Sequence, residues 1–288
     1  MPSFIHFILL LIGVLLLSAG FYYPLHQFIS LFFEPPSEKI ILLTSKLLSV
    51  SGVCYLAYYY RLLHLAGFGL AFNFKYFIKN FGWGLCCGSL IIAPLFIILI
   101  ITETRIISPN ISMSLEHFVK FILAALLGAW VEEVFFRGIL YSSIRRSCSF
   151  FMTAFLSSIY YATLHFISLP TLSPSWSSGF EMLMNSFSQY QLDDFFALFS
   201  LGILLAIMRE ITGNIALCIG LHASFIYCIK LIKHYTDYNL LIEDQGFTGQ
   251  YDHIIGWLST SWLFLMILVI IFFFCTKNLF KFSLKSNR

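Results

Sequence analysis

About eight stretches of this chain are apolar for long enough to cross a bilayer, and that pattern restricts the fold more than any other feature. They lie at about 4–22, 40–62, 80–102, 117–141, 149–168, 192–208, 213–233 and 255–275, each near the roughly 20 residues that a spanning helix needs. Lipid offers backbone amides no hydrogen-bond partners, so spanning segments must satisfy them internally as helices. The sixth stretch is the weakest, because Asp193 and Asp194 stand at its start, and seven spans is the alternative count. Composition agrees: 59% of the residues are hydrophobic and 11% charged, against about 25% charged in soluble proteins. The expected fold is an all-α polytopic membrane helix bundle. The first stretch lacks a basic leader, since the first Lys or Arg is Lys39, and is expected to be a retained helix.

Charge orients the bundle. Basic residues gather at Arg61, Lys75 and Lys79, at Arg145 and Arg146, at Arg209, and in the tail at Lys277, Lys281, Lys285 and Arg288. The alternate connections carry Glu34, Glu38, Glu103, Glu116, Asp237, Glu243, Asp244 and Asp252. Lys and Arg favour the cytoplasmic side, which places both termini inside. Lys230 and Lys233 are exceptions on the outer side. Reporters fused after Lys79 and after Arg288 should read cytoplasmic, and one near Asp244 external; an external tail would overturn this topology. The net charge of +3 gives no reason to expect a nucleic-acid partner. The seven cysteines form no CxxC pair and read as free packing thiols. No repeat, linker or second soluble domain is visible, so residues 1–288 are expected to form one membrane domain.

Charges at membrane depth are expensive and mark function. The fourth stretch contains Glu132-Glu133-Val134-Phe135-Phe136-Arg137. Glu133 and Arg137 stand at i,i+4 on one helix face and can pair, while Glu132 points about 100° away. A buried ion pair used only for packing would account for Glu133 and Arg137, but not for a second desolvated acid. The fifth and seventh stretches carry His165 and His222. Side chains on facing helices can build a site inside a bundle. Two carboxylates and two imidazoles can orient a water and stabilise an oxyanion, and Glu132, Glu133, His165 and His222 are also of the types that bind zinc. A tension remains in the lengths. With a turn near Arg146, Glu133 lies about 20 Å from it and His165 about 28 Å; helix tilts of about 20° narrow the difference, and a longer start to the fifth helix, from about Arg146, would close it.

These motifs resemble the CPBP family, the CAAX-protease and bacteriocin-processing intramembrane endopeptidases, also called the Abi family. Glu132 to Arg137 fits its EExxxR motif, and Tyr161-Ala162-Thr163-Leu164-His165 fits FxxxH with Tyr in place of Phe. The resemblance covers about residues 117–233, with 1–116 and 234–288 as flanking helices. The third motif departs: Ile226 stands four residues after His222, where the family has Asn or a polar substitute. Loss of such an oxyanion donor costs about 3–4 kcal/mol of transition-state stabilisation if nothing replaces it. Ser224 faces another way and Asn214 lies two turns off.

The resemblance implies hydrolysis of prenylated, membrane-associated or leader peptides in the bilayer, with a bacterial plasma membrane as the expected location. Carried over, Glu132 activates water, Glu133 and Arg137 hold it in position, His165 orients it or polarises the carbonyl, and His222 serves the oxyanion. Metal-assisted and metal-free versions are both implied. One alternative is a non-catalytic relative acting as a bacteriocin-immunity or peptide-binding protein. Another is a proton-coupled transporter using the two acids as a relay, for which inverted-repeat signals are missing.

Overall fold

The computed structural model describes residues 2–32, 37–70, 73–109, 112, 114–167, 175–185, 191–239, 241, 247–250 and 252–286. The described chain is a helix bundle. Helices α1 (Pro2–Ser30), α2 (Ser37–Tyr59) and α3 (Phe74–Ile101) precede a short strand, β1 (Arg105–Ile107). Helix α4 (Leu115–Glu133) then runs into a π-helical turn (Val134–Leu140) and a short α5 (Tyr141–Arg145). The chain continues through α6 (Phe150–His165), α7 (Ser178–Asn185), α8 (Leu192–Thr212), α9 (Ala216–Tyr235), β2 (Thr236–Tyr238) and α10 (Trp257–Ser286). Each apolar stretch of the sequence coincides with helix, the fourth with α4 and its π turn. By length and composition alone, four helices among the described residues are long and apolar enough to cross a membrane: α1, α3, α8 and α9. Large apolar side chains remain exposed on the outside of the bundle, including Leu90, Leu115, Phe151 and Phe272. A patch-rich apolar exterior of this kind suits lipid and not water.

Local chemistry sets the helix ends that matter for the site. Ser114 caps α4 and Ser149 caps α6, each side chain accepting from a backbone N–H in the first turn. Because α6 begins at Phe150, the expected early start near Arg146 is corrected. The later start shortens the helical leg to His165 to about 22 Å, which removes most of the length mismatch without any extension. Gly213, at φ 70°, ends α8 in the left-handed conformation that glycine adopts without penalty. Asn214 follows, its Oδ1 accepting from the Ala216 N–H at the start of α9 at 2.8 Å. Asp193 and Asp194, the weak point of the sixth stretch, lie in the first turn of α8, where the helix dipole favours carboxylates.

Helix α9 is the central element. It packs against α3 along Gly84 and Gly88, where an added Cβ would fall on the backbone of α9 at Leu217 and Leu221. Gly220 meets α3 in the same way, at the Phe81 carbonyl. Gly84-Leu85-Cys86-Cys87-Gly88 has the small-xxx-small spacing that lets two membrane helices approach closely. The facing ends of α3 and α9 are tied by β1 pairing antiparallel with β2. Arg105 is buried there, with Nε donating to Thr236 Oγ1 and Nη2 to the Thr236 carbonyl, both at 2.7 Å.

Candidate active site

Helices α4, α6 and α9 bring together all five residues singled out in the sequence. Glu133 is fully buried at the end of α4, and Arg137 follows in the π turn, nearly as buried. Arg137 Nη1 donates to Glu133 Oε1 at 3.0 Å, and Nη2 lies 3.4 Å from the Gly202 carbonyl of α8. The guanidinium also lies over the Tyr161 ring, 4.6 Å from its centre. The aromatic residue one turn before His165 therefore roofs the Arg137 charge, a role that an aromatic face fills.

The two histidines are held by their Nδ1 atoms. His222 Nδ1–H donates to Glu133 Oε1 at 2.8 Å. His165 Nδ1–H donates to the Tyr161 carbonyl at 2.9 Å. These bonds fix each ring and leave both Nε2 atoms facing Glu132. Glu132 Oε2 stands 3.7 Å from His165 Nε2 and 3.8 Å from His222 Nε2. Both separations exceed a direct hydrogen bond and suit one bridging water. Glu132 Oε2 and Glu133 Oε2 are buried and have no hydrogen-bond partner in the protein. Burying an acceptor without a partner is costly, so the Glu132 oxygen is set for a group that comes from outside the protein.

With neutral rings, Glu132 Oε2 and the two Nε2 atoms are three acceptors converging on one spot. Water has two hydrogens, so a water held by all three requires a proton on one of them. These are donor types that zinc accepts. As arranged, however, no group of three or more His, Cys, Asp or Glu side chains among the described residues is placed to hold a metal ion.

Glu132 separates two cavities. One, of about 290 Å³, reaches from Glu132, His165 and His222 along α9 and α10 to Lys230 and Asp252. The other, of about 480 Å³, lies between α1, α2, α4 and α6 and is lined almost wholly by apolar groups such as Leu10, Val53 and Phe135. Ile226 lines the first cavity. Neither neighbour in sequence replaces the missing polar group. Ser224 Oγ faces α3 at Gly88 and donates to the Leu221 carbonyl. Asn214 precedes α9, where its Oδ1 accepts from the Ala216 N–H, and it does not line this cavity.

Sequence reasoning missed three contributors to this geometry. The glycine pair at Gly84 and Gly88 was legible as a small-xxx-small pattern. The π turn has no pattern in the sequence. The seat for Arg137 at the Gly202 carbonyl depends on tertiary packing alone.

The fold and the site define a membrane helix bundle with a buried glutamate–histidine centre. Residues 114–227 match the family model described as Type II CAAX prenyl endopeptidase Rce1-like. That segment is a Rce1-like domain of the CPBP family, and it holds every residue of the centre. No curated protein and no solved structure matches the chain.

Proposed function

We propose that this protein is an intramembrane endopeptidase that hydrolyses prenylated, membrane-associated or leader peptides through water activated by Glu132. The observation that carries the reading is the buried Glu132 Oε2, without a protein partner and facing the Nε2 atoms of two oriented histidines. A family-level match to prenyl endopeptidases over the same residues supports it. So does the large apolar cavity beside Glu132, which has the lining an isoprenoid or acyl chain requires.

In this mechanism Glu132 takes a proton from the bridging water as the water oxygen attacks the peptide carbonyl carbon. The carbonyl oxygen becomes an oxyanion beside the imidazoles, and a protonated Nε2–H donates to it. Glu132 then delivers the proton to the amide nitrogen, the C–N bond breaks, and a carboxylic acid and an amine leave. Glu133 acts one step back. It holds the His222 ring through Nδ1–H and is itself held by Arg137.

The test is cleavage of prenylated and leader peptides by the purified protein in lipid nanodiscs, with products read by mass spectrometry. Hydrolysis at one bond is expected. Metal analysis of the same preparation separates metal-free from metal-assisted water. Binding without hydrolysis would instead select the second reading, a peptide-binding or immunity protein. Ile226, which offers no hydrogen bond at the usual donor position, favours that reading.

Ile226→Asn discriminates further. Asn is smaller than Ile and can donate to an oxyanion beside His222. Turnover should rise by about tenfold, part of the 10²–10³ that a full oxyanion donor is worth. Unchanged turnover would mean that another donor already serves the oxyanion. Activity gained from an inactive wild type would identify the native chain as the binding protein.

A further inference from the structure

Three arginines that stand apart in the sequence are gathered by the fold around one carboxylate. Tyr141, Ser142, Arg145, Arg146, Arg209 and Glu210 line a polar cavity of about 360 Å³ where α5 meets the end of α8. The acid is already committed. Glu210 Oε1 accepts from Arg145 Nη2 at 2.9 Å, and Oε2 accepts from the Tyr141 hydroxyl at 2.6 Å. Arg146 and Arg209 have no ion-pair partner among the described residues. Arg146 Nη1 donates to the Tyr60 carbonyl at 2.5 Å, and Arg209 Nε donates to the Arg137 carbonyl at 3.2 Å. A carbonyl orients a guanidinium without neutralising it. Three guanidiniums against one carboxylate leave the cavity a formal charge of +2.

An apolar groove adjoins this cavity. Phe150, Phe151, Phe155, Ile203, Ile207 and Ile271 line about 470 Å³ between α6, α8 and α10, and Phe151 is 80% exposed on the outside of the bundle. Tyr141 is the wall between the two. Its hydroxyl turns to Glu210, while its ring is buried with Ala154 and Ala206, and Phe150 and Ile203 pack against that cluster. Ile203, Ile207 and Glu210 stand at i, i+4 and i+7 on α8, so they share one stripe. The polar lining therefore begins about 4.5 Å along the axis from the apolar lining.

Positive charge at this end also serves to orient the bundle, as the exposed Lys75 and Lys79 do near the start of α3. Orientation needs charge on one side of the membrane and not at a fixed spot. It does not account for two guanidiniums steadied by backbone carbonyls beside an apolar groove. We propose that the cavity and groove together bind one anionic phospholipid, its phosphate held by Arg146 and Arg209 and an acyl chain lying along the groove. Arginine suits the task, since its planar donors match phosphate oxygens. A choline headgroup would bring a cation against the +2 charge and is disfavoured. A free phosphate would satisfy the arginines but leave the groove uncovered. The site lies apart from the Glu132 centre, and the inference does not depend on the endopeptidase reading.

The experiment is a lipid titration of the full-length protein in nonionic detergent, followed by native mass spectrometry. Phosphatidylglycerol and phosphatidylcholine with the same acyl chains are compared. Each arginine near a headgroup is worth about a factor of five, so the first phosphatidylglycerol should bind about tenfold or more tighter than phosphatidylcholine. Arg146→Gln, an exposed position, should cut that preference about fivefold. Arg146→Gln/Arg209→Gln should bring it to about one. Lys75→Gln/Lys79→Gln is the control: it removes two charges from the same end, where the Tyr76 hydroxyl reaches the Thr212 carbonyl. The lysine variant should keep the full preference. An equal loss in that variant would mean diffuse surface charge and overturn the proposal. So would a wild type without preference, or a preference that Arg146→Gln leaves intact. Thermal unfolding of each variant checks the fold, and if Arg209→Gln does not fold, Arg146→Gln and the lysine control decide. Inorganic phosphate in excess should leave the phosphatidylglycerol bound. Phosphate that releases it would make this a site for free anions, and the lipid proposal would be wrong.

Discussion

Glu132→Gln is expected to lower peptide hydrolysis by about 10²–10⁴-fold, the range that a positioned general base contributes. Gln has the shape of Glu but cannot take a proton from water. The substitution is mild because Glu132 Oε2 makes no hydrogen bond within the protein, so none of that oxygen's is broken. An amide placed there can donate to either Nε2 through a small side-chain movement, since the gaps are 3.7 and 3.8 Å. The unfolding temperature should therefore stay level or rise slightly. Turnover and thermal unfolding measured on one nanodisc preparation check both halves. Full turnover in the variant would remove Glu132 from the chemistry. A loss of turnover with a large drop in unfolding temperature would mark it as a structural residue.

The elements most legible in the sequence are those whose physics is local. An apolar run of about 20 residues has few options in lipid other than a helix. The i,i+4 spacing of Glu133 and Arg137 was enough to expect their pair, and it forms at 3.0 Å. The meeting of Glu132 with His165 and His222 followed from cost, because polar groups in a bundle find relief in one another. What sequence reasoning lacked was register between helices. The expected early start of α6 treated the turn after Arg146 as continuing helix. Ser149 instead takes the extended conformation of a cap, and the helix begins one residue later. The β1–β2 ribbon involves three residues on each side and has no periodicity to detect. Its effect on the site is indirect but real: with the glycine contacts of α3, it fixes where α9 sits, and so where His222 points.

Arg137→Met should destabilise the bundle by about 3–5 kcal/mol, because removing one partner of a buried ion pair leaves the other charge uncompensated. Glu133 is fully buried, its Oε2 has no partner, and Arg137 is the cation bonded to its Oε1. The double variant Glu133→Leu/Arg137→Met removes both charges and should recover much of that loss, since an apolar pair of similar size often replaces a buried salt bridge without penalty. Chemical or thermal unfolding in nanodiscs reads both variants. Activity should separate from stability. Glu133 also accepts from His222 Nδ1–H, so the double variant frees the ring even where the fold is restored. It should remain at least about tenfold below wild type, in keeping with the loss seen when an orienting partner of a histidine is removed. Recovery of activity together with stability would show that Glu133 and Arg137 serve packing alone. Stability regained with activity still low would establish that the pair's second task is to aim His222 at the water on Glu132.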